Sequence, residues 1–121
     1  MAEQNQGEFD FLKGSPAFDG LGDEDIRSIL AKAKPMEVRG GEILFRQGDP
    51  GKTMYVITSG RVRVLLEDDT GEQSLLNVLD RGAHFGELSM LIGSPRNATI
   101  KAVVDTDLLV SSEKRTKTFR L

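Results

Sequence analysis

The chemistry in this sequence concentrates in HFGELSMLIGSPRNATI, residues 84–100, which sets a carboxylate, Glu87, and a guanidinium, Arg96, at the two ends of one short segment. Arginine presents a planar fork of donors that matches two oxygens of a phosphate. A carboxylate only accepts hydrogen bonds, so beside a phosphate it needs a donor from the ligand, and a sugar hydroxyl is one. Glu87 on a ribose and Arg96 on a phosphate would grip two sides of one small anion. Gly86 lets such a ligand approach the backbone, and a helix beginning at Glu87 would aim the N–H groups of Glu87 and Leu88 at it. Taken singly, Glu87 reads as an acid favouring a helix start, and Arg96 reads equally as a surface cation or as a phosphate anchor. The alternative is a ligand-free interaction module in which the two charges pair with each other, a contact that adds only ~0–1 kcal/mol when exposed.

Other chemistries have little to work with. The chain has no cysteine, which removes disulfides and thiolate metal sites and fits a reducing, cytoplasmic setting. His84 is the only histidine, and with no partner visible in the sequence it reads as structural rather than as a metal ligand. The ligand clusters of metal-assisted hydrolysis are missing, so no catalytic residue and no metal is assigned, and the chain is not expected to be an enzyme. A net charge of −3 argues against broad binding to nucleic acid or anionic lipid. The N-terminal MAEQNQGEFDF is polar and acidic, unlike a secretory signal, and no apolar run approaches the ~18 residues of a membrane span. At 121 residues, 38% of them hydrophobic, the chain has the size of one domain with a modest core.

The elements that must position the two charges are mostly strands. GDEDIRSILAKA, from Gly22 to Ala33, reads as a helix with acids in its first turn and Ile26, Ile29, Leu30 and Ala33 at helical spacing. Phe9, Phe11, Leu12, Phe18 and Leu21 just before it are expected to pack against it. From Met36 the texture changes to short runs of aliphatic and β-branched residues, MEV, EILFR, TMYVITS, RVRVLLE, SLLNVLD, ATIKAVV and DLLVSS, separated by glycine-bearing turns. That spacing indicates a β-sandwich or barrel, with RVRVLLEDDTGEQSLLNV as its clearest hairpin. Met54, Tyr55, Val62, Val64, Leu75 and Leu76 are the expected barrel core, with some of them lining the ligand as the alternative. ELSMLI, from Glu87 to Ile92, lacks strand alternation and is bracketed by Gly86 and Gly93-Ser94-Pro95, the punctuation of one short helix.

Together, FGELSMLIGSPRNATI, VRGGEILFRQGD and MYVITSGRVRV resemble, from about Leu21 to Val110, the cyclic nucleotide-binding domain family, whose catabolite-activator-like jelly roll regulates other domains through cAMP or cGMP. FGELSMLIGSPRNATI is similar to its phosphate-binding cassette, roughly FGE-[LI]-[AG]-L, a spacer, then PR-[AT]-A-[TS]-[VI]. The resemblance implies a mainly β fold: an eight-stranded double-stranded β-helix (jelly-roll) barrel with an N-terminal helical segment and a short phosphate-binding helix. It places Glu87 on the ribose 2′-hydroxyl and Arg96 on the cyclic phosphate, with backbone groups of Gly86, Leu88 and Ala98 completing the cradle. Two positions depart from the pattern. Asn97 stands where alanine accompanies cAMP and threonine accompanies cGMP, which leaves base choice open, and Ser89 stands where Ala or Gly is usual. Family members also continue into helices that lie over the base, so here that lid is missing or comes from elsewhere.

The expected organisation is an N-terminal extension over 1–20, a cyclic nucleotide-binding domain over 21–110, and a basic tail or truncated helix over 111–121. The expected function is a non-enzymatic sensor with cAMP ahead of cGMP as its ligand and no other cofactor. It would signal to an output domain or partner subunit outside this chain, without direct nucleic-acid contact.

Overall fold

The glycine-punctuated runs become eight strands, which the computed structural model arranges as two four-stranded antiparallel sheets in a mainly β, jelly-roll architecture. The structure describes residues 6–14 and 21–112. In chain order the elements are α1 (Gln6–Lys13), α2 (Asp23–Ala31), β1 (Lys34–Val38), β2 (Ile43–Phe45), β3 (Met54–Ser59), β4 (Arg61–Glu67), β5 (Gln73–Asp80), β6 (His84–Phe85), α3 (Glu87–Ile92), β7 (Thr99–Ala102) and β8 (Thr106–Ser111). One sheet runs β1-β8-β3-β6 and the other β2-β7-β4-β5, so every neighbour but β4–β5 is joined over a long stretch of chain.

Strand β3 organises the interior because it is buried on both faces, and alternation sends its side chains to two different cores. Tyr55 and Ile57 join Val38, Val62, Phe85, Ile100, Ala102 and Leu108 between the sheets. Met54 and Val56 face the other way, against Phe9, Leu12, Ile26, Ile29, Leu30 and, from α3, Met90. The expected helix is α2, with Gly22 as its extended N-cap and Lys32 as its C-cap, so the helix stops short of Ala33. Phe9 and Leu12, carried by α1, a helix that the sequence pattern did not announce, and Leu21, just ahead of α2, pack against it as expected. Phe18 and the side chain of Phe11 lie outside the described residues.

The one-residue connection that carries the chain from β3 in one sheet to β4 in the other needs glycine. Gly60 has φ of +101°, and a Cβ there would stand 2.7 Å from Thr106 Cα and 2.8 Å from Asp105 O. Two expected core residues are corrected by the sheet order. Leu75 and Leu76 are 56% and 60% exposed, because β5 is an edge strand whose outer side nothing described covers. The register also slips there, Val64 facing Asn77 while Leu65 faces Leu75, so Leu76 is the extra residue of a bulge. Of the segment expected as a tail, Ser111 closes β8, buried, and donates from Oγ to Ile29 O at 3.5 Å; residues 113–121 lie outside the described residues.

Candidate functional site

Helix α3 exists between two glycines that no other residue could replace without strain. Gly86, its N-cap, has φ of +82° and Gly93, its C-cap, φ of +71°, both left-handed. Gly86 is also hemmed in: a Cβ would lie 2.8 Å from Thr53 O and 2.9 Å from Arg96 Nη1. Ser89, the departure from the family pattern, is buried and donates from Oγ to Ser94 O at 2.8 Å, tying the helix to its own exit loop. That contact gives the hydroxyl a structural purpose where Ala or Gly would offer none.

After the loop, Arg96 is strapped down before its side chain is considered. Its backbone N–H donates to Asp49 O at 2.9 Å, and its carbonyl accepts from Gly48 N at 2.8 Å. The residue is 6% exposed. Its Nη1 donates to Thr53 O at 2.7 Å and its Nη2 to Thr53 Oγ1 at 2.7 Å, while Gly86 O stands 3.5 Å from Nη1. The guanidinium lies 4.2 Å from the ring centre of Phe45 and 5.6 Å from that of Tyr55, within cation–π reach. No carboxylate comes within ion-pair distance among the described residues, and Nε is buried without an acceptor. Burial lowers its pKa from the ordinary arginine value against the opposing pull of Tyr55 and Asp49, and at so high a starting point it remains a cation. A buried cation without a counter-carboxylate is costly unless an anion arrives.

Glu87 is held differently. Its Oε1 lies 3.5 Å from His84 Nδ1, three residues earlier, and its side chain keeps 26% exposure. Burial pushes the Glu87 carboxyl up, but the His84 contact, its own backbone N–H and the His84 charge together bring it below the usual carboxylate value. The alternative arrangement in which Glu87 pairs with Arg96 is not the one adopted, because Arg96 is turned to Thr53 and Glu87 to His84. His84 therefore does have an acidic partner, Glu87 three residues along the chain, which corrects the expectation that it has none.

Between these two charges opens a cavity of about 330 Å³. All six residues singled out from the sequence, Gly86, Glu87, Leu88, Arg96, Asn97 and Ala98, line it. They differ in presentation: Ala98 is 5% exposed just ahead of β7, Leu88 is 44% exposed at the rim, and Asn97 is exposed. Leu76 and Leu79 of β5 add an apolar wall suited to the flat face of a base. Thr53, Gly51 and Phe45, which hold the guanidinium, were not found from the sequence; the only signal there was GDPGK, read as a turn. Among the described residues no group of three or more His, Cys, Asp or Glu side chains could hold a metal, and no helix is long and apolar enough to cross a membrane.

A sandwich of this topology with a glycine-bounded helix and a buried arginine on its cavity defines a class, and comparison with known proteins gives it a name. The chain belongs to the cyclic nucleotide-binding domain family, whose model matches residues 35–119. It is 38% identical over 98 residues to the cyclic AMP receptor protein of Thermus thermophilus, covering 81% of this chain and 45% of that one. It is 34% identical over 92 residues to a cAMP-dependent protein kinase regulatory subunit of Blastocladiella emersonii, covering 76% of this chain and 23% of that one. The fold is similar to that of the regulatory domain of Toxoplasma gondii PKA crystallised with cAMP, with a TM-score of 0.81 at 28% identity, covering 98% of this chain and 44% of that one. The chain spans less than half the length of each of these relatives.

Proposed function

We propose that this chain is a non-enzymatic sensor domain that binds a cyclic nucleotide, cAMP in preference to cGMP, and passes the event to an attached domain or partner subunit. The observation that carries the reading is Arg96: a guanidinium on a residue 6% exposed, bordering a cavity, with Nε lacking an acceptor and no carboxylate in reach among the described residues. A cyclic phosphate supplies the missing negative charge. Glu87, across the cavity, takes the ribose 2′-hydroxyl, with backbone groups of Gly86, Leu88 and Ala98 around the phosphate. Asn97 faces the base side, where it both donates and accepts. The preference for cAMP is supported by the names of the relatives.

The signal leaves through packing. Capture of the phosphate orders α3 and repositions the chain beyond Val110, since a ligand moves an equilibrium only through contacts that differ between states. Two contacts support this route: Met90 of α3 sits in the same cluster as α1 and α2, and Ser111 at the end of β8 touches Ile29 of α2. The reading keeps the domain from 21, extended to Ser111 by the end of β8, with 1–20 as an extension, the residues after 111 as a tail or the start of a helix, and the cytoplasm as its setting. Calorimetric titration with cAMP and then cGMP tests it. Saturable binding of cAMP with weaker binding of cGMP is expected, and silence with both in folded protein would turn the reading to a ligand-free interaction module.

A further inference from the structure

The guanidinium of Arg96 is oriented by a segment far from it in sequence, the loop running into β3. Thr53 meets it twice, through its carbonyl at 2.7 Å from Nη1 and its hydroxyl at 2.7 Å from Nη2. The same hydroxyl donates to Tyr55 OH at 3.1 Å, so its remaining lone pairs are aimed at the arginine. Gly51 closes the other edge: a Cβ there would collide with Nε and Cζ of Arg96 and lie 2.7 Å from Nη2. Gly51 does not adopt the left-handed backbone that restricts side chains, so what excludes a side chain at 51 is the arginine itself.

We infer that Thr53 is the positioning residue of the anion site, its hydroxyl and carbonyl fixing the guanidinium plane, while the absent side chain at Gly51 makes the slot that the plane occupies. Lysine could not use this seat, because a compact ammonium cannot span the two acceptors of Thr53 and stack flat between Phe45 and Gly51. Pre-orientation matters because a phosphate meeting an already directed fork does not have to order a long side chain on arrival. The inference rests on the nucleotide reading for its ligand, but the seat itself can be observed without one.

Three substitutions test it by two readouts. Thr53→Val removes the hydroxyl and keeps the carbonyl, Thr53→Ser restores the hydroxyl, and Gly51→Ala fills the slot. With cAMP, Thr53→Val is expected to weaken binding roughly tenfold, because it removes a charge-assisted hydrogen bond, while Thr53→Ser stays within about twofold of the parent. Gly51→Ala is expected to lose affinity by at least as much yet unfold near the parent temperature, since the displaced atoms are the end of a flexible side chain. Without ligand, nitrogen-15 NMR reads the Arg96 side chain directly. A held guanidinium gives resolved, slowly exchanging Nη–H signals in the parent and in Thr53→Ser, which collapse in Thr53→Val and Gly51→Ala. Unchanged Arg96 signals in both disrupting variants, or unchanged cAMP affinity in both, would overturn the inference. If the parent fails to bind cAMP while those signals still collapse, the seat stands and the nucleotide reading falls.

Discussion

The two charged walls of the cavity are built to different tolerances. Arg96 is 6% exposed, fixed through backbone and side chain, and stacked on Phe45; Glu87 is a quarter exposed and held by one 3.5 Å contact from its neighbour His84. The first wall makes its stabilising contacts before any ligand arrives, and the second can trade His84 for a sugar hydroxyl. On the proposed reading, affinity falls to the arginine side and adjustment to the glutamate side.

The largest effect expected from that contrast is at Arg96. Arg96→Ala should weaken cAMP binding by about 1.5–3 kcal/mol or more, the range for hydrogen bonds to a charged group, as read by titration. Unchanged affinity would remove the arginine from the phosphate. Glu87→Ala should cost less, about 1 kcal/mol, because its contact is more exposed and it must give up His84 to reach the ligand. That cost should vanish for 2′-deoxy-cAMP, which lacks the hydroxyl; an equal loss with both nucleotides would place Glu87 elsewhere. Asn97→Thr, at an exposed position proposed to face the base, should move the ratio of cGMP to cAMP affinity by about 1 kcal/mol or less toward cGMP and leave the unfolding temperature in place.

The smallest expected effect is on pH. The Glu87 carboxyl titrates below its ordinary value of 4.5 in the folded chain, so its ionised form is favoured by folding. The resulting stability is present above the unfolded value and is lost as pH falls through the lowered folded one. Melting temperatures measured through acid should therefore fall more shallowly for Glu87→Gln than for the parent; parallel curves would mean that the His84 contact contributes nothing.

Legibility in the sequence divides along the same line. Local features were readable: α3 is bounded by Gly86 and Gly93 where the glycines and Pro95 place it, and all six candidate residues border the cavity. Contacts across the chain were not. Thr53 sits in TMYVITS, where a threonine looks like any strand former, and only the fold brings it to Arg96 across 43 positions. Leu75 and Leu76 carry apolar side chains that composition assigns to a core, yet on the bulged edge strand both are exposed, Leu76 where it borders the cavity. Strand β6 is two residues long, too short for alternation to register.

The central assignment, phosphate on Arg96 and ribose on Glu87, is tested most directly by a crystal structure of the chain with cAMP. The expected complex has an exocyclic phosphate oxygen within about 3 Å of an Arg96 nitrogen and the 2′-hydroxyl at the same distance from the Glu87 carboxylate. A nucleotide bound outside this cavity, or with its phosphate away from Arg96, would contradict it.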